Sequence, residues 1–286
     1  MIGWRNAVRR LLPPVLSRLP RFRGKGRITL AIDALLTNRR DPASYLAEGT
    51  LNGGCRFLFD LRGWGQKFAF YYRDMEAEYV DALRRLYDGG VFVDVGSSVG
   101  LYAVCLAGVV RARGGRIAAF EPVPFNRERQ AANIALNGAH DVVDVYPFAL
   151  GAADAVLHMA GDPQRADNNA FIAAAGDIEV QVRRLDDVAS GWPRVGMMKI
   201  DIEGYEPEML KGARATIERD RPLLFAEFNR ERMAINGFTI DETWQWLAGR
   251  AYRFYVLRNG SFVELEAPGE HENLFILPAA MRAEVS

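Results

Sequence analysis

The sequence predicts an α/β protein whose mostly parallel sheet closes on a C-terminal antiparallel hairpin, preceded by a helical and hairpin extension. Three observations carry this. Short apolar runs at 91–95, 116–120, 142–148, 197–202 and 222–228 alternate with helical periodicity near 100–110, 124–136 and 207–218. That alternation marks a parallel sheet covered on both faces. Asn259-Gly260 lies between strand-like runs at 252–258 and 261–265, a strong hairpin turn signal. Of the 286 residues 49% are apolar, enough for a large core and incompatible with a disordered, collagen-like or disulfide-scaffolded chain.

Taken in order, residues 1–27 hold eight basic side chains (Arg5, Arg9, Arg10, Arg18, Arg21, Arg23, Lys25, Arg27) and no acidic one. The remaining residues, 28 basic against 36 acidic, form an acidic body, which argues against nucleic acid as a partner. Trp4, Val8, Leu11, Leu12, Val15, Leu16 and Leu19 fall on a rough helical stripe, suited to peripheral contact with an anionic membrane surface or a partner. Pro13-Pro14 interrupts the stripe, and the expectation is a loosely ordered basic tail. A helical pattern from Ile28 to Leu36 ends near Asp41-Pro42. The runs 55–62 and 67–72 flank Gly63-Trp64-Gly65-Gln66 and predict a β-hairpin. These elements make up an extension over 1–75, ahead of a main domain over 76–286. That domain starts with a helix whose Tyr79, Val80, Leu83, Leu86 and Tyr87 stop at Gly89-Gly90, and it ends, past a helix near 241–248 and the hairpin, with a strand at 273–278.

Two cysteines, Cys55 and Cys105, and three histidines exclude a disulfide framework and leave no zinc-ligand spacing. The expected location is cytoplasmic, with the basic arm able to sit on the inner face of the membrane. No run approaches the roughly 20 apolar residues of a membrane span, and the arginine-rich start does not resemble a signal peptide.

The chemistry collects at strand ends. The first strand runs into Asp94-Val-Gly96-Ser-Ser98-Val-Gly100, where Gly96 permits a tight turn and close approach to a ligand and Gly100 permits close helix packing. The spacing is not G-x-G-x-x-G, and Asp94 disfavours a pyrophosphate while suiting a cationic head such as that of S-adenosylmethionine. Glu121, at the tip of the second strand, is placed to accept ribose hydroxyls. Asp154, after the third, is a candidate near an adenine. Further on, Lys199-Ile-Asp201-Ile-Glu203 delivers three charges to one face of a strand, and Glu227 and Asn229 end the next. Asp201 is the first candidate for a base that deprotonates an alcohol, with Glu203, Glu227 and His271 as alternatives. No metal is expected; a divalent ion, if present, would fall to Asp201, Glu227 and Asn229.

Three blocks resemble the FkbM family of S-adenosylmethionine-dependent methyltransferases. They are Val91-Phe-Val-Asp-Val-Gly-Ser-Ser-Val-Gly-Leu-Tyr102, Phe120-Glu-Pro122 with Asn133 and Asn137 downstream, and Lys199-Ile-Asp-Ile-Glu-Gly-Tyr-Glu-Pro-Glu-Met-Leu-Lys-Gly-Ala213. The resemblance spans about residues 76–278. Ser98 stands where the family usually has Asn. The resemblance implies a Rossmann-like class I methyltransferase fold of seven strands, S-adenosylmethionine as cofactor, and methyl transfer to a hydroxyl of a sugar, glycan or natural product. Two alternatives share the fold: a nicotinamide oxidoreductase, disfavoured by the glycine spacing, and a non-catalytic glycan-assembly scaffold, which has no use for clustered carboxylates. The segment Arg165–Asn169 is an expected acceptor loop. Composition does not specify the oligomeric state.

Overall fold

A computed structural model describes residues 3–20, 23–38, 41–161, 171–172 and 176–281. Two helices, α1 (Gly3–Arg18) and α2 (Lys25–Leu36), lead through a single 3₁₀ turn to the hairpin β1 (Leu46–Leu51) and β2 (Cys55–Asp60). Helices α3 (Trp64–Tyr72) and α4 (Ala77–Leu86) follow. Next come β3 (Val91–Val95), α5 (Leu101–Ala112), β4 (Arg116–Phe120), α6 (Pro124–Leu136) and β5 (Val143–Tyr146). Four short strands, β6 (Ala149–Leu150), β7 (Ala155–Ala160), β8 (Phe171–Ile172) and β9 (Ile178–Arg183), form a separate sheet in the order β6-β9-β7-β8. After α7 (Leu185–Val188) the chain returns through β10 (Val195–Ile200), α8 (Glu206–Gly212), α9 (Arg214–Asp220) and β11 (Leu223–Asn229). It ends with α10 (Arg230–Ile235), α11 (Ile240–Ala248), β12 (Tyr252–Arg258), β13 (Ser261–Leu265) and β14 (His271–Pro278).

Among the described residues the main sheet has eight strands in the order β13-β12-β14-β11-β10-β3-β4-β5. It is the expected mostly parallel sheet with one strand more than seven, because both arms of the C-terminal hairpin join it. The pairs β4–β5, β3–β4, β10–β3 and β10–β11 are parallel, while β14 inserts antiparallel between β11 and β12. Every residue of β3 and β10 is buried, as apolar strands covered on both faces must be. From β3 the chain steps outward to β4 and β5, then returns to the other side of β3 as β10. The strand order therefore reverses between β3 and β10, and a crevice opens at the carboxyl ends of such a pair.

The extension departs from expectation in two places. The hairpin pairs β1 with β2 across Asn52-Gly53-Gly54, all three at positive φ, and the 67–72 run is helical. Asn-Gly is the stronger turn signal. The aromatic run instead places Phe68 and Tyr72 one helical turn apart, stacked at 5.5 Å. The basic arm is also a helix despite Pro13 and Pro14. The buried Arg9 guanidinium donates to Thr37 Oγ1 at 2.8 Å and to the Ser44 carbonyl, and lies 3.7 Å from Asp33. Leu16 packs into the main core. These tertiary contacts offset a helix-breaking cost of about 3 kcal/mol.

Asn133 and Asn137 hold the hairpin to α6. Leu58 N–H donates to Asn133 Oδ1 at 2.8 Å and Arg56 N–H to Asn137 Oδ1 at 2.9 Å, while Asn133 Nδ2 donates to the Val99 carbonyl. One buried asparagine thus ties the extension to the glycine loop.

Candidate active site

The loop after β3 is shaped by a close approach of main chains. Gly96 has φ +70°, and a Cβ there would meet the Asp201 carbonyl oxygen at 2.1 Å. The glycine is required by the end of β10, in addition to lining the cavity beside it. Ser98 is left-handed at φ 48°, a conformation more natural for Asn. Its N–H donates to Glu121 Oε2 and that of Val123 to Glu121 Oε1, both at 2.8 Å. Each carboxylate oxygen keeps acceptor capacity for a further donor. Burial raises the Glu121 carboxyl against these backbone donors.

Between this loop and β10 lies a cavity of about 260 Å³. Part of its lining is apolar, from Phe120, Leu150, Leu157, Met159 and Val180, the last four contributed by the small sheet. Another part is polar, with Tyr102 beside the ionisable side chains of Glu76, Lys199 and Asp201. Lys199 Nζ donates to the Gly96 carbonyl at 2.9 Å and lies 3.4 Å from Asp201 Oδ2 and 3.8 Å from Asp94 Oδ1. Burial works against its charge, yet Asp201, Asp94 and Glu76 together hold the ammonium above the usual lysine range. Tyr102 O–H donates to Glu76 Oε2 at 2.8 Å, and desolvation by the surrounding walls raises the Glu76 carboxyl. Asp201, its side chain 40% exposed, is the carboxylate most open to an incoming molecule beside that lysine.

The predicted residues divide by place. Gly96, Ser98, Glu121, Asp201 and Glu203 line the cavity; Glu203 also lies 3.5 Å from Arg232. Asp94 does not line it: fully buried behind the wall, it accepts the Ala103 N–H at 3.2 Å, and burial pushes its carboxyl up to about 6. Its charge is linked to the cavity through Lys199. Gly100 caps α5 at φ +84°, with Gln130 Cγ 3.0 Å from where a Cβ would stand, so it serves packing of α5 against α6. Asp154 is exposed on the turn between β6 and β7, off the lining.

Glu227 and Asn229 also stand off the lining, where β14 pairs along the end of β11, and the candidate His271 is described only by its main-chain place in that pairing. Glu227 lies in register with Asn273 and Asn229 with His271, and Asn229 Oδ1 caps α10 by accepting the Arg232 N–H. The conditional metal set Asp201, Glu227 and Asn229 is therefore not assembled in the cavity. Among the described residues no group of three His, Cys, Asp or Glu side chains is placed to hold a metal ion. The Arg165–Asn169 loop lies outside the described residues.

Sequence reasoning missed Glu76, Tyr102 and the small sheet. Tyr102 closes the first resemblance block, and the β9 run Ile178-Glu-Val-Gln-Val-Arg183 alternates strictly, so both carried a signal. Glu76 carried none: it is a left-handed cap ahead of α4. Glu206, buried beneath the loop after β10, accepts the N–H groups of Ile202 and Gly204 on Oε1, and burial raises its carboxyl to about 7.

Comparison with known proteins bears on this geometry. The model of the methyltransferase FkbM domain matches residues 94–254, more than half of the chain. The chain belongs to this family. Methyltransferase sdnD of Sordaria araneosa is 23% identical over 177 residues, half of this chain and 68% of its own length. Methyltransferase 1 of Beauveria bassiana (strain ARSEF 2860) is 26% identical over 149 residues, 44% of this chain and 59% of its own. A crystal structure of a methyltransferase FkbM from Methylobacillus flagellatus KT aligns with 96% of this chain at 18% identity and a TM-score of 0.47. The chain spans 59% of that protein. The matched FkbM segment starts at Asp94, takes in the cavity-lining residues of the glycine loop, β4 and β10, and leaves Glu76 outside it.

Proposed function

We propose that the chain is an S-adenosylmethionine-dependent O-methyltransferase acting on a hydroxyl of a sugar, glycan or natural product. The observation that carries this reading is a single cavity, at the reversal of strand order, lined both by a ribose-competent carboxylate, Glu121, and by an accessible carboxylate beside a buried lysine, Asp201. The donor set fits the cofactor. Glu121 retains acceptor capacity for a diol, the apolar wall of Phe120, Leu157 and Met159 suits an adenine face, and Glu76 and Asp94 around one Lys199 suit a cationic group.

S-adenosylmethionine supplies a methyl group already activated on a sulfonium. The chain's own work is to orient an acceptor oxygen and take its proton. Asp201 is the proposed base, held in place by Lys199. Glu76, kept by Tyr102, adds a second acceptor for that proton or for a neighbouring hydroxyl. Incubation with methyl-labelled S-adenosylmethionine and a panel of sugars, lipid-linked glycans and small alcohols tests the reading. Label recovered on an acceptor oxygen is the expected result. Label only on nitrogen or carbon, or binding of NAD in place of S-adenosylmethionine, would overturn it.

A further inference from the structure

Helix α1 buries Leu16 in the main core, with Leu12 packed against it, and leaves a second apolar row in solvent. An amphipathic helix on a folded body ordinarily buries its apolar stripe and shows its charges. Here Arg9 is buried, with its guanidinium on Thr37, Ser44 and Asp33, while Leu11 and Val15 are 71% and 57% exposed. Val8, Leu11 and Val15 are spaced three and four residues apart, so they form one outward row, which exposed Arg18 continues. Neighbouring elements repeat the pattern. Ile28 and Leu35, two turns apart on α2, and Trp64 at the start of α3 are exposed. Arg23 and Arg27 are exposed beside them, and no acidic residue occurs before Asp33.

We propose that this face docks on an anionic lipid bilayer. An apolar row flanked by cations matches the headgroup boundary, where aliphatic side chains and tryptophan enter the acyl edge and arginines meet phosphates. A second copy of the chain is the poorer occupant, since a two-fold interface would set like charges against each other. No described helix is long and apolar enough to cross a membrane, so the contact is peripheral. This inference stands independently of the methyl acceptor.

The test is co-sedimentation of the full chain with vesicles of phosphatidylcholine alone and of equal parts phosphatidylcholine and phosphatidylglycerol, at low and high salt. The expected result is binding to the mixed vesicles about tenfold above the neutral ones, weakened by salt. The double variant L11E/V15E should lower it about tenfold at an unchanged melting temperature. Should that variant unfold, R18E/R23E provides the same readout through charge reversal at exposed positions. Equal binding to both vesicles, binding to neither, or wild-type binding by folded variants would overturn the proposal. So would a dimer in sedimentation velocity that L11E/V15E dissolves.

Discussion

Two neighbouring strand ends look alike in sequence and behave differently in the fold. β10 leads into Asp201 and Glu203, and β11 ends in Glu227 and Asn229; both present acidic or polar groups after a buried apolar run. Of the two, the first lines the cavity beside the glycine loop and the second does not. β10 lies beside β3, where the strand order reverses and the following segments depart in different directions. β11 is instead flanked by antiparallel β14, whose first residues pair along its end. A carboxylate at a strand's end becomes a site residue through its position in the sheet, which a reading along the chain does not supply.

The sharpest way to break this comparison is to neutralise one residue in each region. Asp201→Asn is expected to lower kcat by about 10²–10⁴-fold, the range for loss of a general base, with cofactor affinity retained. Glu227→Gln should leave kcat within about threefold. Steady-state kinetics on any accepted alcohol separates them, and equal losses would erase the distinction drawn between β10 and β11.

The next effect is on stability. Lys199→Met leaves Asp94 buried without its cation and the Gly96 carbonyl without its donor. A loss of about 3–5 kcal/mol is expected in urea unfolding, the usual result of removing one member of a buried pair. Arg230→Met, beside the exposed Asp241 near the end of β11, should cost no more than about 1 kcal/mol.

A smaller effect depends on pH. Glu206 has its carboxyl raised to about 7 from 4.5, so the folded state keeps a proton that the unfolded chain releases. Its contribution is full below about pH 4.5 and fades as pH rises through 7. Both N–H donors reach Oε1, which glutamine preserves. Glu206→Gln should therefore match wild type near pH 5 and exceed it by a few kcal/mol near pH 8, read as the difference in unfolding midpoint at the two values. Smallest of all, Ser98→Asn should change stability by no more than about 0.5 kcal/mol, in the favourable direction, because Asn tolerates the left-handed backbone better.

Much of the main sheet was legible because its cause is local. Buried parallel strands are short continuous apolar runs, and β3, β4, β10 and β11 announce themselves; so does the β12–β13 hairpin, through Asn259-Gly260. The glycine loop, Glu121 and Asp201 were legible for the same reason. What was missed depends on distant partners. The helix through Pro13-Pro14 exists because Arg9 finds Asp33, Thr37 and Ser44, and Glu76 enters the cavity because α4 starts beside Tyr102. Asp94 reads as a ligand contact along the chain, yet the fold turns it toward Ala103 and behind Lys199.

The central claim is that the cavity at the β3–β10 reversal takes S-adenosylmethionine through Glu121. Calorimetric titration of S-adenosylmethionine into the wild type, Glu121→Ala and Glu227→Ala tests it most directly. The account predicts saturable one-site binding to the wild type and to Glu227→Ala, and affinity lowered by about tenfold or more in Glu121→Ala, as expected when charge-assisted hydrogen bonds to a ligand are lost. Undiminished binding to a folded Glu121→Ala, or a comparable loss in Glu227→Ala, would contradict it.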